Sequence, residues 1–326
     1  PELARFEIEN YLIGMVNLLF NPLLTAYLPS GSGNTSRSED MLRITFSGVD
    51  LLSRLLADLE LHPLMAEVIE TLWQASRIPA EFNQPLPATS PSAASPSVAQ
   101  NAQLQICRAK IIKHLAKSEL CSMVLQTMFG IVLVCGPSMK AGWRSIASAI
   151  ISFAECGLIT LETSSDEDKS SEQPNISLVS SAFSIVGDTN DVTLSLPAVD
   201  FIDSETKKRA MTIVRETCQL DKILEETKFY QEDSLQALLQ AISQSLLFKG
   251  SSEASIVMMT EWMILIAWNN RDRLKLLWPT LSTCLADLSK LAMPRVCEHA
   301  VLGLGKMTLW IVETYPENEC TSNDVH

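Results

Sequence analysis

Few residues of this chain have both the type and the spacing that catalysis or metal binding requires. The four histidines are isolated from one another along the sequence: His62, His114, His299 and His326. None has the H-E-x-x-H spacing that places two imidazoles on one helical face to bind zinc. We therefore predict neither a metal site nor a catalytic triad, and we interpret His299, which lies on an apolar helical face, as a core histidine.

The eight cysteines have no catalytic or metal-binding spacing either. No two of them form the Cys-x-x-Cys pair of zinc knuckles and thioredoxin-like sites. Most lie within helical apolar patterns: Cys107, Cys121, Cys135, Cys156, Cys218, Cys284, Cys297 and Cys320. We interpret them as buried thiols in a reducing cytosol. A separate hypothesis, an enzyme with one reactive cysteine, would need a single thiol of low pKa that labels fast.

The sequence also contains no convincing phosphate-binding loop and no convincing catalytic pair of carboxylates. The Gly303-x-Gly305 pattern lies inside a helical stretch, where we interpret it as close helix packing. Paired carboxylates occur mainly in residues 162–174, whose composition is too flexible for general acid–base catalysis. We therefore predict no catalytic residue and no cofactor.

Composition sets broad limits on the kind of protein. With 326 residues, 47% of them apolar, the chain can form two ordinary domains or one long repeat array. A net charge of −13 and a pI near 4.8 argue against nucleic-acid binding, because an acidic chain repels phosphate backbones. The chain starts at Pro1 and shows no signal peptide, so we expect a cytoplasmic piece of something longer. Its longest apolar stretch, 256–268, carries Glu261, and we predict a buried helix rather than a membrane span.

Apolar residues at helical spacing recur through most of the chain, and they are what would position any functional side chain. One clean i, i+3, i+4, i+7 stripe consists of Leu235, Leu238, Leu239 and Ile242. Similar stripes occupy 42–59, 274–288 and 297–311. Helices of this length with short connections predict an all-α fold, an α-solenoid of degenerate HEAT- or armadillo-like antiparallel helix pairs.

Three segments interrupt the helical pattern. Residues 80–102 include four prolines among serines and alanines, and we predict a linker or long loop. Residues 160–175 are rich in serine and acidic residues, which predicts a disordered insert. Residues 176–202 alternate like strands, but a lone sheet is improbable, so we interpret them as extended or short helical segments on a helical body.

A polar turn, N-N-R-D-R, separates two tryptophan-bearing helical runs. Asn269 or Asn270 would end the first helix in a left-handed conformation or cap the second. Asp272 would lie in the first turn of the second helix, at the positive end of its dipole. We therefore predict a structural turn. Arg271 and Arg273 are also candidate partner contacts on the concave face, a role compatible with the structural one.

Residues 228–249 form an amphipathic stretch with two interpretations. Its apolar residues, including Phe229, Leu235 and Leu239, could lie on a membrane surface. Glu232 and Asp233 leave the stretch without a basic polar face, which favours a core helix.

Lys140 and Arg144 are the remaining candidate contacts. They lie four residues apart and could present positive charge to a carboxylate or a lipid phosphate. Trp143 falls on the neighbouring apolar face, so we expect it to be buried.

Three ordered blocks of this sequence resemble a known family. N-N-R-D-R-L-K-L-L-W, with M-T-E-W-M-I-L-I-A-W before it and M-P-R-V-C-E-H-A-V-L-G-L-G-K after it, resembles large Arf guanine-nucleotide exchange factors of the Golgi type, the GNOM and Gea-like branch that includes brefeldin-A-resistance factors. The matching region lies downstream of their catalytic domain. Residues 139–150 and 215–242 resemble parts of the first downstream homology unit. Residues 1–80 match only as helices, and the two inserts match nothing.

The resemblance implies a non-catalytic role. Residues 1–245 would form the first downstream unit, and 246–326 would begin the second, continuous with the first. The family's catalytic domain has a loop whose glutamate displaces magnesium and the nucleotide β-phosphate from Arf, and no such motif occurs here.

The implied function is a regulatory scaffold that supports Golgi membrane recruitment and control of Arf activation in vesicle-mediated transport. Expected partners are the protein's own upstream catalytic domain, an Arf-family GTPase and Golgi lipids, with peripheral attachment to early secretory membranes. The alternative is a helical-repeat adaptor of another transport system, such as a coat or nuclear-import scaffold.

Overall fold

The computed structural model describes residues 2–15, 35–82, 96–159, 202–246 and 251–314. These residues form α-helices and short 3-10 helices joined by turns, and none of them belongs to a strand. The prediction of an all-α fold is therefore confirmed for the described part of the chain.

Thirteen α-helices occupy the described residues. They are α1 Glu2–Met15, α2 Thr35–Asp58, α3 His62–Ala75, α4 Ile78–Phe82, α5 Pro96–Lys117, α6 Glu119–Cys135, α7 Trp143–Glu155, α8 Ser204–Cys218, α9 Leu220–Glu226, α10 Glu232–Leu246, α11 Glu253–Asn269, α12 Leu274–Leu288 and α13 Pro294–Thr314. Short 3-10 helices at Gly136–Ser138, Thr227–Phe229 and Arg271–Arg273 lie between α-helices. Of the predicted interruptions, 160–175 and all of 176–202 except Ile202 lie outside the described residues. Helices reach into the predicted linker 80–102 from both sides, to Phe82 and from Pro96.

Hydroxyl and carboxylate side chains fix several helix starts. Ser118 accepts a hydrogen bond from the backbone N–H of Cys121, and Asp203 and Ser252 do the same for the backbone N–H groups three residues later. Each cap satisfies an amide that has no partner within its helix. The helices therefore begin where the local sequence supplies an acceptor.

The helices pack in two series. In one, α3 contacts α7, α7 contacts α10, and α10 contacts α12; in the other, α2 contacts α6, α6 contacts α8 and α9, α9 contacts α11, and α11 contacts α13. The series meet through pairs such as α2–α3, α3–α6, α7–α11 and α12–α13. One hydrophobic core runs through them, and Trp143, Tyr230, Phe129 and Phe153 are among its largest buried side chains.

Helix α6 is the most apolar helix of the described residues. The segment Glu119–Ser138 is long and apolar enough to cross a membrane, with a mean hydropathy of 1.8, and half of it is buried within the protein. Core helices of folded domains pass the same test, and α6 packs against α2, α3, α5, α8 and α9. Those contacts favour a core helix. Helix α11, which contains the apolar stretch 256–268, is also buried, as predicted.

Candidate partner-binding surface

The turn between α11 and α12 is built from buried amides. Asn270 is fully buried, and its Nδ2 donates to the carbonyl of Ile266 at 2.8 Å and to Thr227 Oγ1 at 3.2 Å. Asn269 Nδ2 donates to the carbonyl of Leu224 at 2.9 Å. With φ of −119°, Asn270 ends α11 without the left-handed conformation that the sequence suggested. Its side chain instead binds across to the end of α9.

Arg273 completes this arrangement. Its Nη1 donates to the carbonyl of Tyr230 at 2.6 Å, and its Nη2 donates to the carbonyls of Thr227 at 3.0 Å and Lys228 at 3.1 Å. Nε and Nη2 also donate to Asn270 Oδ1 at 3.1 and 2.7 Å. Asn269, Asn270 and Arg273 thus form a polar clamp on residues 224–230, and the Arg273 guanidinium is occupied by contacts within the chain.

Arg271 and Asp272 differ from Arg273 because both are exposed. The guanidinium of Arg271 lies 5.1 Å from the ring centre of Trp268, a stacked cation–π geometry. Trp268 in turn contacts Trp310 of α13, with ring centroids 4.7 Å apart. Asp272 lies in the 3-10 helix before α12 rather than in α12 itself. Arg271 is therefore the exposed cation of this turn.

The segment 224–230 also belongs to a second cluster through Tyr230. We call this cluster the aromatic clamp, and it consists of Gly136, Trp143, Tyr230 and Ser234. The rings of Trp143 and Tyr230 are 5.6 Å apart, and both residues are buried, as predicted for Trp143. Trp143 Nε1 donates to Ser234 Oγ at 3.0 Å, and Ser234 Oγ donates to the carbonyl of Gly136 at 2.6 Å. A Cβ on Gly136 would lie 2.7 Å from Tyr230 Oη, so a larger residue there would force the Tyr230 ring to shift.

Lys140 and Arg144 lie at the rim of the aromatic clamp. Lys140 Nζ is 2.9 Å from Asp233 Oδ2, in a pair whose side chains are 40% and 70% exposed. Exposed pairs of this kind contribute little to stability. Burial, followed by the charge of Lys140, lowers the pKa of His62, the first residue of α3. Arg144 is exposed in the first turn of α7.

Phe229 lies between the two clamps and is 64% exposed. Lys228 Nζ sits 4.8 Å above the centre of its ring. We use the name turn surface for the exposed residues Lys140, Arg144, Phe229 and Arg271. Leu235 and Leu239, the other predicted contacts, are fully buried in α10, the location that the core-helix interpretation predicts.

A partly buried ion pair that the sequence did not reveal joins three helices. Arg108 Nη2 of α5 lies 2.6 Å from Glu155 Oε2 of α7. Glu155 Oε1 accepts from the backbone N–H of Ser252 at 2.6 Å and from the hydroxyl of Ser255, at the start of α11. No local pattern predicts this site, because the partners of Glu155 lie 47 to 100 residues away in the sequence.

The thiols and histidines of the described residues show no assembled reactive group. Burial raises the pKa of Cys121 and of Cys156 to about 12 and that of Cys135 to about 11, so these thiols stay protonated at neutral pH. No three histidine, cysteine or acidic side chains in this part of the chain come together as metal ligands. The reactive-cysteine hypothesis thus gains no support.

Two further predictions are met only in part. His299 has a partner, Glu261 Oε1 at 2.5 Å from Nδ1, but its side chain is 36% exposed rather than a core group. A Cβ on Gly303 would lie 2.6 Å from Ile264 Cδ1, which confirms close helix packing there. Gly305 has nothing within 4 Å of its Cβ position, so the interpretation fails for that glycine.

Comparison with known proteins gives one consistent answer. The chain is 27% identical over 222 residues to the ARF guanine-nucleotide exchange factor GNL1 of Arabidopsis thaliana and 29% identical over 210 residues to GNOM, an exchange factor of the same plant. It is 24% identical over 215 residues to a Golgi-specific brefeldin A-resistance guanine nucleotide exchange factor 1 homolog of Caenorhabditis elegans. The chain is therefore similar in sequence to ARF guanine-nucleotide exchange factors. The resemblance seen in its sequence blocks is thereby confirmed.

The extent of the similarity limits what it shows. The matches cover 60%, 55% and 55% of this chain but only 15%, 14% and 11% of the three exchange factors. No protein-family model and no solved structure matches the chain. The relationship to ARF exchange factors therefore concerns a small part of much longer proteins.

Proposed function

We propose that this chain is a non-catalytic regulatory scaffold of a large Arf guanine-nucleotide exchange factor, from the region downstream of its catalytic domain. The similarity to three exchange factors over more than half of the chain carries this proposal. Residues 1–245 would be the first downstream unit and 246–326 the start of the second. The serial helix contacts support a continuous α-solenoid of HEAT- or armadillo-like pairs.

The scaffold would act through contact. Its partners would be the catalytic domain of the same polypeptide, an Arf-family GTPase and the lipids of Golgi membranes, to which it would bind peripherally from the cytoplasm. It would thereby control where Arf is activated in vesicle-mediated protein transport. Similarity to exchange factors favours this function over an adaptor of a coat or nuclear-import system.

The turn surface is the best-supported place for such contact. Phe229 presents an exposed ring, and Arg144 and Arg271 supply positive charge on neighbouring segments. Lys140 lies on the same surface, where it is paired with Asp233. At a membrane interface an aromatic ring fits the boundary of the acyl chains while cations attract anionic headgroups. Arg273, Leu235 and Leu239 would contribute indirectly, because they hold the turns and α10 in place.

Flotation with liposomes of Golgi composition tests the surface. The chain would be mixed with vesicles that carry or lack membrane-anchored, GTP-loaded Arf. We expect flotation of the parent chain and its loss in a variant carrying K140E, R144E, F229S and R271E. A matched variant with K222E, K290E and K306E changes three exposed lysines elsewhere and should float normally. If the parent floats under neither condition, the recruitment part of the proposal is wrong.

Nucleotide release from Arf tests the non-catalytic part. A fluorescent GDP analogue bound to Arf would be followed with and without the chain. We expect the spontaneous rate in both cases, whereas a catalytic domain of the same family added as a positive control should accelerate release. Acceleration by this chain alone would overturn the assignment as a scaffold.

A further inference from the structure

Helix α13 has two apolar sides. One side, which includes Gly303 and Met307, is buried where α13 packs against α11 and α12. The opposite side carries four large aliphatic side chains that are 55% to 63% exposed: Val301, Leu302, Leu309 and Val312. No other helix of the described residues exposes as many large apolar side chains. Contiguous exposed apolar residues mark interaction sites, whereas single ones do not.

Gly305 lies in the middle of this exposed side. Residues 301, 305, 309 and 312 follow at intervals of three and four, which places them in one row along the helix. Among the described residues, no atom lies within 4 Å of the position of a Cβ on Gly305. A glycine inside a helix costs about 1 kcal/mol relative to alanine, but it lets a second helix approach closely. We use the name outer stripe for Val301, Leu302, Gly305, Leu309 and Val312.

We propose that the outer stripe binds the outer stripe of a second copy of this chain. The two α13 helices would run antiparallel in a dimer with two-fold symmetry and would cross at Gly305. Val301 of each copy then faces Leu309 of the other, and the two glycines bring the backbones together. The inference depends on the exposed side of α13 alone and is independent of the proposed function.

Two charges beside the outer stripe favour a second copy in the antiparallel direction. Arg295 and Glu313 are exposed, and both lie about 80° around the helix from Gly305, on the same flank of the stripe. Arg295 lies ten residues before Gly305, and Glu313 lies eight residues after it. At about 1.5 Å per residue, the antiparallel copy places its Glu313 about 3 Å along the helix axis from Arg295. The symmetry repeats this opposite-charge contact at the other end of the stripe.

The size of the outer stripe sets the expected affinity. From Val301 to Val312 it spans about 17 Å of a single helix, so the interface is smaller than the about 800 Å² per partner of a standard complex. Lys306 lies on the same flank beside Gly305, so the two copies of Lys306 approach each other and oppose association. We therefore expect a dissociation constant in the micromolar range.

Sedimentation equilibrium of the intact chain tests the dimer. Between about 1 and 100 μM the parent should change from monomer to dimer. A variant carrying L302E and L309E should associate about a hundredfold more weakly, because the dimer would bury four unpaired carboxylates. The matched control carries I44E and L51E, which change two similarly exposed aliphatic residues of α2, and it should dimerise like the parent.

A charge exchange tests the antiparallel direction. R295E alone and E313R alone should each weaken association about tenfold, because both contacts of each homodimer then join like charges. An equimolar mixture of the two variants should associate as tightly as the parent, since both contacts of the mixed pair again join opposite charges. A merely structural effect of either substitution would not be reversed by mixing.

Three results would contradict the proposal. A parent chain that stays monomeric at every concentration would leave the outer stripe to a helix of another protein. Dimers that persist in the variant with L302E and L309E would place the interface elsewhere. A mixture of R295E and E313R that associates no better than either variant would rule out the antiparallel arrangement. Circular dichroism of each variant checks that the helices remain.

Discussion

Residues 224–230 are held by the polar clamp and by the aromatic clamp, which differ in their chemistry. The polar clamp binds backbone carbonyls through Asn269 and Arg273 and the Thr227 hydroxyl through Asn270. The aromatic clamp packs Trp143 and Gly136 against Tyr230, with a single chain of hydrogen bonds through Ser234. One clamp depends on the direction of its donors, and the other depends on shape and buried area.

This difference in chemistry predicts which substitutions each clamp tolerates. Hydrogen-bonded groups in a buried site fail when one partner is removed, because the remaining partner is left without water. Packed rings fail when volume is lost or added, because the interior relaxes only in part. The same segment should therefore respond to different changes on its two sides.

Removing the indole of Trp143 should have the largest effect. Trp143→Ala leaves a cavity beside Tyr230 and should lower the free energy of unfolding by about 3–5 kcal/mol. Trp143→Phe keeps much of the packing and should cost less. Urea unfolding followed by circular dichroism measures both, and a loss below about 1 kcal/mol for Trp143→Ala would show that the clamp is loosely packed.

The two arginines of the polar turn provide a matched pair. Arg273→Ala should lower the free energy of unfolding by about 2–3 kcal/mol, since three carbonyls and Asn270 Oδ1 lose a charged donor. Arg271→Ala, two residues away and exposed, should stay within about 0.5 kcal/mol of the parent. Equal losses in the two variants in urea would mean that the hydrogen bonds of Arg273 contribute nothing beyond its surface packing.

Adding one methyl group to Gly136 probes the aromatic clamp from the opposite direction. Gly136→Ala should lower the free energy of unfolding by about 1–2 kcal/mol, because the new Cβ meets Tyr230 Oη at 2.7 Å. Combining it with Tyr230→Phe should recover only part of the loss, since Tyr230 Cζ lies 2.9 Å from the same Cβ. Full recovery in thermal unfolding would show that the hydroxyl alone sets the distance.

Alkaline pH should weaken the aromatic clamp. Burial, and next the charge of Glu226, raise the pKa of Tyr230 above its usual value near 10. The contribution of Tyr230 to stability is therefore complete below pH about 10 and declines as the pH rises from there toward the higher folded pKa.

The variant Tyr230→Phe separates the effect of Tyr230 ionisation on stability from that of the buried thiols, which also lose protons at alkaline pH. Its unfolding temperature should fall less than that of the parent between pH 9 and pH 11, and its stability at pH 7 should match the parent or exceed it. Tyr230 Oη is buried without a hydrogen-bond partner among the residues that the structure describes, so its removal leaves none of their polar groups unsatisfied. Parallel declines in the two proteins would contradict the raised pKa.

The sequence predicted those features that depend on local periodicity. The stripe from Leu235 to Ile242 is the buried side of α10, and the burial of Trp143 follows from its neighbours on α7. The carbonyls bound by Arg273 lie 43 to 46 residues away, so no local pattern could assign them. Pro279 shows the limit of local rules in another way, because α12 continues through it despite the lost backbone donor.

The site at Glu155 has a consequence for synthesis on the ribosome. Its carboxylate is made 97 residues before the amide of Ser252 that it binds. At a translation rate of about 5–20 residues per second, Ser252 is synthesised about 5–20 seconds after Glu155. Arg108 is already present, so the ion pair has time to form first and to hold α5 and α7 together. The start of α11 then arrives at an acceptor that is already in position, which makes the order of translation part of how these three helices assemble.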